Sequence, residues 1–106
     1  MSAEPVVKTL VANLVTTPTH TVVTVGATTT AALAANTSRI YALLINDADE
    51  AIYIKLGASA ALNAGIRINA NGGNYEMSEQ LGNLYQGAIN AICASGSKKL
   101  LVTEGV

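Results

Sequence analysis

From residue 38 onward, the sequence alternates short apolar runs with turn residues at intervals of about 8–12 residues, which is typical of a β-sandwich or barrel. The runs with strand character are 38–46, 51–57, 66–70, 74–80, 82–93 and 98–104. Asn71-Gly72 is the strongest turn signal among them, because a type I′ turn needs positive φ at both central residues. The pattern predicts three successive hairpins, over 38–57, 66–80 and 82–104.

The first third of the chain gives a weaker pattern. Residues 6–15, VVKTLVANLV, have an almost helical spacing of apolar residues, but most of these are β-branched and stiff in a helix. We therefore predict an extended N-terminal arm or edge strand over residues 1–18. Residues 20–30 have strand character, and 27–38 is expected to be a long loop. The predicted fold is all-β, a single antiparallel β-sandwich or barrel of about seven to eight strands built from hairpins, over residues 19–106.

Composition favours association between copies. Of the 106 residues 50% are hydrophobic and only 12% are charged, and the chain has neither Trp nor Phe. Aromatic side chains bury the most area per residue, so this core gains less from burial than the length suggests. Because subunit association is a common remedy for a thin core, we expect a homo-oligomer.

The acidic loop DADE (Asp47, Asp49 and Glu50) is the first candidate for a chemical site. A calcium loop needs six to eight oxygen ligands, and the glycine and closing glutamate of such a loop are missing here. Asp also caps its own turn amides, which favours a solvated turn over a cation site.

Other catalytic or metal-binding arrangements are equally incomplete. His20 is the only histidine and Cys93 the only cysteine, too few for a zinc site, and a buried thiol is expected for Cys93. Glu76 and Glu79 lie three residues apart in a predicted strand and so point to opposite faces. We expect no enzyme activity, no metal and no cofactor.

The remaining binding classes find little support in the sequence. Lys98 and Lys99 are the only adjacent basic pair, which argues against a nucleic-acid partner. No apolar run approaches the ~18 residues of a membrane span, and MSAEPVVK lacks the features of a signal peptide, which predicts synthesis in a cytoplasm. A carbohydrate platform would have to come from the four tyrosines, which are Tyr41, Tyr53, Tyr75 and Tyr85.

The run IYALLIN is apolar on both faces of an extended strand. Ile40, Ala42 and Leu44 share one face, and Tyr41, Leu43 and Ile45 share the other. A sandwich strand normally has water on one side, so this strand needs a second cover. That cover is either a neighbouring subunit or a segment of the same chain, the 27–38 loop or the N-terminal arm.

Residues 36–104 resemble small β-rich virion proteins of tailed bacteriophages. The resemblance lies in ANTSRIYALLIND, IYIKLG, IRINANGGNYEM, NLYQGAINAICASGS and LLVTE. It implies a capsid decoration (cement), head-fibre or neck component, located in the virion and synthesised in the host bacterial cytoplasm. It also implies the major capsid protein or other virion proteins as partners, and often a trimer.

These observations give one candidate interface and one alternative function. The predicted assembly interface comprises Tyr41, Leu43 and Ile45 of the apolar strand and Val7, Val11 and Val15 of the arm. The alternative is a receptor- or glycan-binding module of a phage tail or fibre.

Overall fold

The computed structural model describes residues 13–106, and every helix or strand it assigns there is a β-strand. In chain order the strands are β1 Pro18–Val25, β2 Thr30–Leu33, β3 Tyr41–Asn46, β4 Ile52–Leu56, β5 Ile66–Ile68, β6 Asn74–Ser78, β7 Ile89–Cys93 and β8 Lys98–Gly105. They form two four-stranded sheets, sheet A in the order β1-β8-β3-β6 and sheet B in the order β2-β7-β4-β5. The predicted all-β sandwich is confirmed. No helix in this part of the chain is long and apolar enough to cross a membrane.

The strand pairing shows that the three predicted hairpins are wrong. In each of them the two strands lie in different sheets, so β3 does not pair with β4, nor β5 with β6, nor β7 with β8. Instead β1 pairs with β8, β2 with β7, β3 with β6 and β4 with β5, all antiparallel. This nesting of eight strands in two sheets is a jelly roll. Asn71 and Gly72 do have positive φ, 59° and 99°, but their turn carries the chain from one sheet to the other.

Two further boundaries differ from the sequence prediction. The segment 27–38, expected to be a loop, contains β2, a short strand with an irregular register between Ala31 and Leu33. The run 82–93 is a strand only from Ile89 onward. The alanines of 27–38 have weak β-propensity, so the sequence pattern missed β2, whereas the strand-favouring Tyr85 lies in a loop that packs against the core.

The core lies between the sheets and is almost entirely aliphatic. Its fully buried side chains include Val25, Leu44, Ile52, Ile54, Ile68, Met77, Ile89 and Leu100. Each such side chain stabilises the fold by about 1.5–3 kcal/mol relative to exposure. In β3 the inward residues Ala42, Leu44 and Asn46 are buried, and the alternate residues are half-buried.

Asn46 is a buried polar residue that fixes the crossing from sheet A to sheet B. Its Nδ2 donates to the carbonyl oxygens of Glu50 at 2.8 Å and Ile68 at 3.0 Å. Its Oδ1 accepts a hydrogen bond from the Ala48 N–H at 2.9 Å. These three hydrogen bonds join the end of β3 to the DADE loop and to β5. The Asn46 side chain thus holds the connection between the two sheets, where β3 and β4 do not pair as a hairpin.

Among residues 13–106, Arg39 is the largest fully buried side chain, with 0% exposure, and it lies two residues before β3 begins. Its Nε donates to Glu104 Oε2 at 2.8 Å, and its terminal nitrogens donate to the carbonyl oxygens of Ala34, Tyr85 and Gly87 at 2.6, 2.7 and 3.1 Å. A buried charge is tolerated only when it is paired and hydrogen-bonded, as here. This guanidinium therefore ties two loops and the end of β8 to β3 at one end of the sandwich.

Candidate assembly surface

The outer face of sheet A is the surface formed by the side chains of β1, β8, β3 and β6 that point away from sheet B. Ile45 lies opposite Leu101, and Leu101 lies opposite Val22 on the next strand. Val22 is 60% exposed, and Ile45 and Leu101 are half-buried. An aliphatic row thus crosses three strands of the sheet, since directly opposed residues share a face.

The neighbouring rows carry the other predicted interface residues. Leu43 lies between Thr103 of β8 and Glu76 of β6, and Tyr41 lies between Gly105 and Ser78. The sequence prediction that Tyr41, Leu43 and Ile45 share a face agrees with this register. Their role in assembly stays a prediction. Val22 and Leu101 were not among the predicted interface residues, although the alternation of side chains within their own strands could have identified them.

Tyr41 forms the polar rim of this face. Its hydroxyl donates to Glu76 Oε2 at 2.6 Å. This hydrogen bond, with smaller contributions from burial and from the negative charge of Glu76, raises the pKa of Tyr41 above its ordinary value. The contact holds the phenol ring against the edge of the sheet beside Leu43.

The described part of the N-terminal arm reaches only one end of the face. Asn13 Nδ2 donates to Glu79 Oε1 and Oε2, at 3.0 Å each. Val15 is 41% exposed, and a Cβ at Gly105 would lie 2.6 Å from Val15 Cγ2. Val7 and Val11, with the rest of the predicted arm up to residue 12, lie outside the described residues.

The 27–38 segment does not cover the outer face of sheet A, because its strand β2 belongs to sheet B. That alternative for the second cover is wrong. Within residues 13–106, no other segment lies across the aliphatic row formed by Val22, Leu101 and Ile45, consistent with the exposure of Val22.

Sheet B differs, because a loop of the same chain covers its outer face. Residues 57–65 connect β4 to β5 and lie over the outward-pointing Tyr53, whose hydroxyl donates to Asn63 Oδ1 at 2.9 Å. The Ala60 N–H donates to Thr29 Oγ1 at 3.0 Å, beside β2 and on the far side of β7. The loop therefore extends across the outer face of sheet B from β4, past β7, to β2.

The result of this cover is visible in Ile92. It alternates with the inward residues of β7 and so points outward, yet it is only 8% exposed. On sheet A, the outward-pointing Leu101 of the inner strand β8 is half-buried, and Val22 of the edge strand β1 is 60% exposed. The two outer faces of the sandwich are thus unequal, one closed by its own loop and one open in the part of the chain that the structure describes.

The DADE loop joins β3 to β4, and its carboxylates bind donors of the same chain. Asp49 Oδ1 lies 2.7 Å from Lys98 Nζ, and Glu50 Oε2 accepts the Ser95 N–H at 2.9 Å. The hydrogen bond from Lys98 lowers the pKa of Asp49, and the hydrogen bonds from Ser95 lower the pKa of Glu50. Asp47 is exposed. Among residues 13–106 no group of three or more His, Cys, Asp or Glu is placed to hold a metal ion.

The remaining candidate residues are separated in the structure. His20 Nδ1 lies 2.9 Å from Thr103 Oγ1 on the outer face of sheet A. Cys93 is buried in the core, as predicted, and its thiol lies 3.4 Å from the Val25 carbonyl oxygen. Lys99 Nζ donates to Thr24 Oγ1 at 2.7 Å. These contacts are local, and none of them brings His20 and Cys93 together.

The four tyrosines do not share one surface. Tyr41 lies on the outer face of sheet A and Tyr53 on the outer face of sheet B. Tyr75 and Tyr85 pack against the core. A flat aromatic platform made from these rings is therefore not assembled.

Comparison of the chain with family models, curated proteins and solved structures found no match. The fold and the open face of sheet A are therefore the observations on which a functional conclusion can rest.

Proposed function

We propose that this chain is a virion structural protein, a capsid decoration (cement) protein that stabilises a phage shell through subunit contacts. The proposal is carried by one observation, the aliphatic row of Val22, Leu101 and Ile45 on the outer face of sheet A, which no described segment covers. Its partners would be the major capsid protein and further copies of this chain. The resemblance of residues 36–104 to phage virion proteins supports the same conclusion. Jelly rolls occur in viral capsid and in lectin domains, so the fold alone does not decide the function.

The energetic contribution of the face follows from its partial exposure. Fully burying a Leu or Ile side chain stabilises by about 1.5–3 kcal/mol, so burying the exposed third or less of a half-buried one contributes about 0.5 kcal/mol. Leu43, Ile45 and Leu101 together with Tyr41 and the more exposed Val22 then supply about 3 kcal/mol per copy before the cost of association. A contact of this size suits a protein that binds a shell through many identical copies.

Binding to empty phage shells tests the proposal. Leu43→Asp puts a charge at the centre of the face, and we expect the variant to remain folded and to lose binding to shells in co-sedimentation. Leu62→Asp is the matched control, because Leu62 is 42% exposed on the loop that covers sheet B. Equal binding of both variants and the unchanged protein would refute the assignment of this face.

The alternative from the sequence is a glycan-binding module of a tail or fibre. The scattered positions of the tyrosines support the assembly proposal over this alternative, because sugar rings stack on exposed aromatic surfaces. Saturable glycan binding that disappears when Tyr41 or Tyr53 is changed to Ala would reverse the preference.

A further inference from the structure

Within residues 13–106, the backbone of β1 presents a row of unpaired groups along one edge of sheet A. Thr17 and Val106 exchange N–H···O bonds of 3.0 and 3.2 Å just before β1 begins. In an antiparallel ladder the residues facing the partner alternate, so Thr19, Thr21, Val23 and Val25 bond to β8. His20, Val22 and Thr24 therefore point their N–H and C=O groups away from β8, and no group of residues 13–106 binds them.

The other three sheet edges are protected within the described residues. β2 has four residues and an irregular register, and β5 has only three residues. β6 is longer, but the side chain of Asn83 occupies its free edge, since its Nδ2 donates to the Glu76 carbonyl at 2.9 Å and its Oδ1 accepts the Ser78 N–H at 3.1 Å. Short strands and edge caps are the usual protection against pairing with another chain. β1 has neither.

We propose that two copies of this chain pair through β1, antiparallel about a two-fold axis at Val22. In this register Val22 exchanges hydrogen bonds with Val22 of the second copy, and His20 exchanges them with Thr24. The outward N–H and C=O groups of His20, Val22 and Thr24 then all have a partner. The ladder ends at the pair formed by Pro18 and Gly26. Pro18 has no N–H to donate, and the Gly26 N–H already donates to Thr30 Oγ1 at 3.0 Å.

Side chains support the same partner. The row Ile45, Leu101, Val22 of one copy continues directly into the row of the other, so the most exposed member becomes the centre of a longer apolar strip. β1 carries no Asp, Glu, Lys or Arg, so no like charges are opposed across the axis. Two A sheets merge into one continuous sheet. The resulting dimer replaces the trimer expected from the resemblance, and it does not depend on the virion role.

Sedimentation of the full chain over a concentration series tests the pairing. We expect a monomer–dimer equilibrium, and Val22→Lys should raise the dissociation constant at least about tenfold, because it opposes two charges at the axis. Leu81→Lys is the matched control, since Leu81 is 59% exposed beyond β6 at the other side of the sheet, and it should leave the equilibrium unchanged. A protein that stays monomeric, or an equilibrium that Val22→Lys leaves unchanged, overturns the proposal.

Amide hydrogen exchange identifies the strand that pairs. In the dimer the N–H groups of His20, Val22 and Thr24 should be protected, and dilution should remove this protection while Thr21 and Val23 stay protected by β8. Rapid exchange of the three amides at every concentration means an open edge and refutes the proposal. Protection that persists in a monomer also refutes the proposal. That result would mean that the free edge of β1 pairs with the first twelve residues of the same chain.

Discussion

Removing the Arg39 side chain tests whether one buried guanidinium holds the end of the sandwich together. In Arg39→Ala the Glu104 carboxylate, whose side chain is 20% exposed, loses its ion pair. The carbonyl oxygens of Ala34, Tyr85 and Gly87 lose their donor at the same time. The loops that carry these carbonyls then lose their shared attachment to the Arg39 side chain, and the hydrogen bonds from Gln86 Nε2 to the carbonyl oxygens of residues 37 and 39 remain.

The expected magnitude follows from what is left unpaired. Removing one partner of a buried ion pair costs about 3–5 kcal/mol, and each unsatisfied carbonyl costs about 1–3 kcal/mol unless water reaches it. Because Glu104 is partly exposed, water can solvate part of the vacated site, and we expect a total of about 3–5 kcal/mol. For a domain of this size that lowers the thermal midpoint by at least about 12 °C.

Thermal and urea denaturation followed by circular dichroism measures the effect. Arg67→Ala is the matched control, because Arg67 is exposed on β5, and its change should stay within about 0.5 kcal/mol. Arg39→Lys keeps the charge but cannot serve the carboxylate and three carbonyls together, so it should recover only a minor part of the loss. A loss of less than about 1 kcal/mol in Arg39→Ala, below the cost of one buried unsatisfied group, would contradict this role of Arg39.

Two further predictions concern the DADE loop and the loop that covers sheet B. Lys98 lowers the pKa of Asp49 below its ordinary 3.8, so the stabilisation from this ion pair is complete above that pH and is lost as the pH falls through the lowered pKa. Lys98→Met should therefore reduce the loss of stability at acid pH, measured as urea midpoints from about pH 6 to about pH 2. An unchanged pH profile would contradict the ion pair. Gly65 has φ of +78°, and a Cβ there would collide with a carbonyl oxygen of β4, so Gly65→Ala should destabilise by about 1–3 kcal/mol more than Gly82→Ala, where φ is +77° and the space is open. Equal losses at the two glycines, measured by urea denaturation, would show that the close approach to β4 does not matter.

The faces of the strands were predictable from the sequence because alternation is a property of the extended backbone. The alternation alone places Tyr41, Leu43 and Ile45 on one side of β3. Cys93 could be placed in the core because a lone thiol on an apolar strand face is usually buried. The sequence therefore predicts the residues that β3 contributes to the outer face of sheet A, but not those of β1 and β8.

The strand partners were not predictable, because turn residues report only a local reversal of the chain. Asn71-Gly72 adopts the positive φ angles that its sequence predicts, yet the next strand joins the opposite sheet. That choice depends on which arrangement buries the apolar faces of all eight strands together. Arg39 was missed for a related reason, since three of its four acceptors are backbone carbonyls, which leave no trace in the sequence.

The nested pairing also sets the order in which the domain can form. β1 has one neighbour in sheet A, the strand β8, and a ribosome releases β8 last of the eight strands. Such non-local pairing is typical of all-β domains, which fold in milliseconds to seconds. In the nascent chain, β1 therefore stays unpaired with β8 until β8 has been synthesised. Because β8 also supplies Leu101 and Thr103, the outer face of sheet A does not exist on an incomplete domain. Synthesis itself therefore delays any association through this face until the domain is finished.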